Sequence, residues 1–221
     1  MDQKLNRSQK KLAVRLFNIQ AIEFGYFELK LHEIFPGAPL SPIKINLGTL
    51  ENKKGRLTDD PAEDVSKQIL VSVEEAGIKF DLVAGIPRKA ERFAEVIARL
   101  TGKPLLKLGK KIEGGKRKID SIIAGEYHPR QKVLLIDDLI TWADTKKEAI
   151  KVCEEAGLLI AGIAVFIDRE QGGFKELERM NYNVCAAFKL SALLKYYLES
   201  GRITPEKFRE ITDYITENQF K

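Results

Sequence analysis

The stretch Val133-Leu-Leu-Ile-Asp-Asp-Leu-Ile-Thr-Trp-Ala-Asp-Thr145 decides the fold. Four apolar residues without alternation describe a strand buried on both faces, the pattern of a parallel sheet. Asp137 and Asp138 close that strand and a short polar turn follows. Lys146 to Glu155 then has helical spacing, with Ala149, Ile150 and Cys153 on the apolar side. Strand, acidic tip, turn and helix in this order place two acids at the carboxyl edge of an open sheet, where α/β folds bind ligands. The acid pair alone also suits a helix cap with a solvated turn, or a phosphorylatable receiver domain. The rest of the chain has to discriminate.

Outward from this stretch the rhythm is βα. Upstream, Phe80 to Ala84 and Leu105 to Leu108 read as strands, with a helix at Ala90 to Leu100 between them. Downstream come a strand at Ile160 to Ile167, another at Val184 to Phe188, and closing helices at Ser191 to Tyr197 and Pro205 to Asn218. Strands that alternate with helices imply an α/β fold whose mainly parallel β-sheet is flanked by helices. Thr58, Asp59 or Asp60 caps a helix that Pro61 opens and that runs to about Ala76. Before it stand an amphipathic helix, Ser8 to Ile19, an alternating segment, Ala21 to Leu31, and a short strand, Ile43 to Leu47. These fit no βα unit. Residues 1–55 are therefore expected to form a small N-terminal hood lobe packed on a core of 56–221, within one structural domain overall.

Composition narrows the class of protein. A chain of 221 residues with 44% hydrophobic residues can bury a full core. It has no run of 18 apolar residues to span a bilayer, and its opening residues lack the apolar centre of a signal peptide. Cys153 and Cys185 have no metal-type spacing and read as reduced core residues, so a cytoplasmic location is expected. The net charge of +5 suits an anionic substrate. The basic cluster from Lys107 to Lys118 has no interleaved aromatics, which argues against a nucleic-acid groove.

Four loops at strand ends carry groups suited to a phosphorylated sugar. Gly85-Ile-Pro-Arg-Lys89 is a tight turn whose lysine can meet a phosphate oxygen. Gly109-Lys-Lys-Ile-Glu-Gly-Gly-Lys-Arg-Lys118 reads as a mobile basic arm able to close over an anion, or as a solvated loop. Asp137 and Asp138 can accept from the hydroxyls of a ribose or help hold magnesium, and the turn from Thr141 to Thr145 precedes a helix N-terminus that favours phosphate. Asp168-Arg-Glu-Gln-Gly-Gly173 puts an arginine at a strand's carboxyl end. That arginine can grip a carboxylate with two parallel hydrogen bonds, or simply pair with Asp168 or Glu170.

Taken together, these residues resemble the type I phosphoribosyltransferases of the orotate branch, including the corresponding domain of bifunctional UMP synthase. Phe24-Gly-Tyr-Phe-Glu-Leu-Lys30 resembles that branch's FGxFxLKSG segment, and Ser41-Pro-Ile-Lys-Ile45 its SPIYI. Gly85 to Ala90 is similar to its GVPYTAL turn and Gly125-Glu-Tyr127 to its GEF. Asp168 to Gly173 is the most specific match. The resemblance implies transfer of the phosphoribosyl group of PRPP to orotate, with Mg²⁺ carried mainly by PRPP, in a homodimer with no nucleic-acid or membrane partner. It assigns Arg88, Lys89, Asp137, Asp138, Thr141, Ala143, Asp144 and Thr145 to PRPP. Lys30, Thr141 and Arg169 go to orotate, and Lys110, Lys111, Lys116 and Asp138 to catalysis.

The chain departs from the pattern at three places. Trp142-Ala-Asp144 stands where the branch carries glycines beside the 5′-phosphate, and a carboxylate ~4 Å from a phosphate charge costs about 4 kcal/mol at an effective dielectric of 20. The basic segment contains no histidine. Lys44 and Gly48 replace a tyrosine and an arginine. These departures keep open a second reading, a non-catalytic module that binds PRPP or a nucleotide.

Overall fold

The computed structural model describes residues 4–29, 32, 36–47, 59–87, 89–113 and 116–219. A six-stranded sheet forms the centre, built from β3 (Leu82–Gly85), β4 (Leu105–Glu113), β5 (Lys116–Ala124), β6 (Lys132–Ile140), β7 (Leu159–Asp168) and β8 (Val184–Lys189). Its order is β5-β4-β3-β6-β7-β8, parallel throughout except for the antiparallel edge pair β4 and β5. The apolar run in β6 behaves as its lack of alternation predicts. Leu134 and Ile136 enter the core on one face and Val133 and Leu135 the core on the other, all fully buried.

Helices cover both faces. Apolar residues of α1 (Arg7–Asn18), α2 (Asp59–Glu75), α3 (Glu91–Thr101), α6 (Leu190–Glu199) and α7 (Pro205–Glu217) share one core, while α4 (Asp144–Glu155) joins the other with Leu177 of α5 (Gly173–Arg179). None of the helices among the described residues is long and apolar enough to cross a membrane. The N-terminal segment packs into the first core. Leu12, Leu16, Ile22 and Ile43 lie beside Ile69 and Phe93, and the buried Tyr197 hydroxyl donates to the Ala13 carbonyl at 2.7 Å. Its antiparallel hairpin, β1 (Ile22–Phe27) with β2 (Ser41–Ile45), stands apart from the main sheet. The expected boundary at 55/56 lies outside the described residues, as do Thr58, Gly48, Lys30 and Arg88.

Three expectations need correction. The segment from Gly109 to Lys118 is not a loop after a strand ending at Leu108. Its described residues, 109–113 and 116–118, are the far half of β4 and the start of β5, paired from Lys107↔Ala124 to Glu113↔Lys116. Nor do Asp137 and Asp138 end their strand, since β6 continues to Ile140, held by Leu139↔Ile167 and Ile140↔Asp168 on β7. On its other side β3 stops pairing at Gly85↔Ile136. The acids therefore lie just past the end of a neighbouring strand, buried next to Leu139, which lines a cleft. Finally, residues Gly173–Arg179 form a helix that periodicity alone did not reveal.

Candidate active site

The cleft is about 700 Å³ in volume, and Lys89, Leu139, Thr141 and Arg169 line it from the carboxyl ends of the sheet. Lys44 of β2 and His32 line it from the N-terminal segment, which roofs the sheet edge. His32 is a latch. Its Nδ1 lies 2.9 Å from the Leu29 N–H and 3.1 Å from the Leu29 carbonyl, and its Nε2 meets the Ala38 carbonyl at 3.1 Å.

The two acids differ in environment. Both oxygens of Asp137 are engaged, Oδ1 by the Asp138 N–H at 2.8 Å and Oδ2 by the ammonium of Lys146. Asp138 accepts the Leu139 N–H on Oδ1 at 2.9 Å, while its Oδ2 is buried without a hydrogen-bond partner. Lys89 approaches that oxygen to 3.7 Å. Burial, then the charge of Asp137, pushes the Asp138 carboxyl up to about 7.

Arg169 is 3% exposed. Its Nε donates to Gln171 Oε1 at 3.0 Å and its Nη2 to Ser41 Oγ at 3.4 Å, and no bond joins it to Asp168 or Glu170. The structural pairing open at the sequence level is not made, so part of the fork faces the cleft. Burial lowers this guanidinium to about 10, still protonated at neutral pH. The loop around it is over-determined. Asp168 Oδ1 accepts the Glu170 N–H, Glu170 adopts φ 59°, and its carboxylate accepts the Ser191 N–H at the start of α6.

The turn before α4 lacks glycine but keeps an open helix end. Ala143 sits in the right-handed region at φ −91°, which any residue adopts, and no side chain caps the helix. Asp144 is exposed and lies 3.4 Å from the Lys147 ammonium, which itself binds Glu176 at 2.7 Å. The adverse charge is thus drawn to the surface and paired. Thr145 is half-buried in the first turn. Gly173 holds the turn in place by donating its N–H to the Thr141 carbonyl at 3.0 Å. A Cβ there would stand 2.7 Å from the carbonyl carbon of Trp142. Gly173→Ala is expected to lower stability by about 1–3 kcal/mol through overpacking, measured as a fall in the midpoint of urea unfolding.

The basic hairpin stays outside this cleft. Lys110 and Lys111 sit in β4 opposite Ile119 and Lys118, with Lys111 3.9 Å from Asp120, and neither lines the cleft. The side chain of Lys116 lies outside the described residues. Sequence reasoning missed Lys146, Ser41 and Gln171. For Lys146 the signal was present, because residues 146, 149, 150 and 153 share one helical stripe and three of them are apolar.

An acid pair past a short strand, an uncapped helix end and Lys89 in the turn after β3 meet at the carboxyl edge of a doubly covered sheet. The chain belongs to the phosphoribosyl transferase domain family, whose model matches residues 55–185. Within that family the similarity runs to the orotate phosphoribosyltransferases. That of Thermococcus gammatolerans is 32% identical over 188 residues, covering 85% of this chain and 93% of the relative. The uridine 5′-monophosphate synthase of Bos taurus is 28% identical over 211 residues, 95% of this chain and 41% of that protein. The solved structure of Leishmania donovani UMP synthase superposes with a TM-score of 0.76 at 27% identity, over 96% of this chain and 43% of that one. The chain thus spans less than half the length of the UMP synthases it matches.

Proposed function

We propose that this chain transfers the phosphoribosyl group of PRPP to orotate, giving orotidine 5′-monophosphate and pyrophosphate in pyrimidine nucleotide synthesis. The observation that carries the reading is Arg169, a buried cation whose partly unengaged fork opens into the same cleft as Thr141 and Lys89. A planar carboxylated base suits that fork. The uncapped start of α4, with Thr141 and Thr145, suits the 5′-phosphate. Lys89 suits the departing pyrophosphate, whose charge grows as the anomeric centre becomes oxocarbenium-like.

Mg²⁺ enters, in this reading, on the diphosphate of PRPP. Asp137 already carries the Lys146 ammonium, which disfavours it as a metal ligand. The protein's part is then to neutralise and orient the substrate complex. The working form is a cytoplasmic homodimer in which the hairpin with Lys110, Lys111 and Lys116 serves the neighbouring site.

The non-catalytic alternative rests on the Trp142-Ala-Asp144 turn, on the absence of a histidine from the basic segment, and on Lys44 and Gly48; the first of these grounds is the one the geometry weakens. Ala143 in an ordinary conformation and Asp144 drawn to Lys147 favour the catalytic reading instead. Following orotate absorbance with PRPP and Mg²⁺ tests it, and progressive loss of orotate is expected. No loss at micromolar enzyme, with PRPP still binding in a separate titration, would establish the sensor instead. Size-exclusion chromatography with light scattering tests the dimer.

A further inference from the structure

We propose that Lys146 divides the acidic pair, fixing Asp137 as a structural carboxylate so that Asp138 alone offers an oxygen to the ribose hydroxyls. The inference rests on the PRPP reading above and corrects the equal roles that the sequence suggests for the two acids.

Lys146 is a costly residue at its position. It lies in the first turn of α4, where the helix dipole disfavours a cation, and it is only 4% exposed. A buried ammonium survives only with close partners. Its Nζ reaches back beneath the turn, bonding Asp137 Oδ2 and donating to the Leu139 carbonyl at 2.6 Å. One side chain therefore ties the strand end, the acid pair and the helix start together. Each Asp137 oxygen already has a partner, the Asp138 N–H or the Lys146 ammonium, whereas Asp138 Oδ2 has no hydrogen bond and meets only the Lys89 cation at 3.7 Å. The charges that act on Asp138 are Asp137, Lys89 and Lys146. With Lys146 present the pair carries one net negative charge, and the cation adds positive potential under the phosphate turn.

The test is a charge-pair rescue, read by calorimetric titration of PRPP with Mg²⁺ and no orotate, alongside thermal unfolding. Lys146→Met leaves two adjacent buried carboxylates, so a lower Tm and PRPP affinity about tenfold weaker are expected. Asp137→Asn/Lys146→Met removes both charges together. It should restore Tm and bring affinity back to within about threefold of the parent. Asp138→Asn should lose roughly thirtyfold in affinity with no loss of Tm.

Should Lys146→Met fail to fold, the double variant against the parent still decides. A double variant that folds but binds PRPP as poorly as Asp138→Asn would overturn the assignment, because Asp137 would then be a ribose ligand. Parent protein that binds no PRPP would instead remove the substrate reading, and this inference with it.

Discussion

Replacing Arg169 by alanine is expected to weaken orotate binding about a hundredfold while PRPP binding changes by less than about threefold. A hydrogen bond to a charged group contributes about 1.5–3 kcal/mol, and a bidentate carboxylate pair supplies two. Arg169 is held for such a grip. Gln171 fixes its Nε and is itself anchored by donating to the Asn218 carbonyl at the end of α7, at 3.0 Å. Ser41 meets its Nη2 from the N-terminal hairpin. Three separate segments thus aim one guanidinium. Its value of about 10 keeps it charged through the neutral range, so the loss should be flat from pH 6 to pH 8. Arg169→Lys keeps the charge without the fork and should fall between alanine and the parent. Equilibrium titrations of each ligand separate the cases. Equal losses for orotate and PRPP would show that Arg169 shapes the whole cleft rather than holding the base.

What the sequence reveals here follows from what each signal depends on. The run in β6 is readable because burial on both faces abolishes alternation, a property of the strand itself. Arg169 is readable because a cation directly after an apolar strand must lie at a sheet edge. The hairpin of β4 and β5 is not readable from local pattern. Its basic, glycine-containing sequence looks like a solvated arm, yet Gly109 and the lysines of β4 and β5 form an edge pair, where charged residues deter further pairing. Gly109 marks close approach there, not a loop, since a Cβ would stand 2.6 Å from the side chain of Ile123. The hairpin is also tied to α4, whose Glu148 accepts the Ile119 N–H at 3.0 Å. That tie to Glu148, 29 residues along the chain, is not visible in the local pattern. Lys146 is intermediate, as its helical stripe predicts burial but nothing local names Asp137 as its partner.

Asp138→Asn is expected to move stability and binding in opposite directions. The folded protein holds this carboxyl at about 7 against an ordinary 3.8, first through burial and then through Asp137. An acid raised in this way favours the folded state most below about pH 4, and that contribution fades as pH rises through about 7. At pH 8 the parent therefore keeps a buried charge whose Oδ2 lacks a hydrogen bond, with the half-exposed Lys89 as its nearby cation. Asparagine retains the acceptor for the Leu139 N–H and removes that charge. Its Tm at pH 8 should exceed the parent's by about 2–6 °C, with the difference shrinking towards pH 4. PRPP affinity should meanwhile fall roughly thirtyfold at pH 8, since the free acceptor is gone. In the parent, affinity should drop by about tenfold per pH unit below 7, as the carboxylate takes up its proton. The substrate's own phosphates titrate near pH 6, so the asparagine variant supplies the baseline that isolates the protein's proton. A parent and variant with the same pH profile would show that Asp138 is not the acceptor. A variant both less stable and weaker in binding would mark it as a packing residue. Gain of stability with loss of binding is the pattern of a charge kept buried for a ligand.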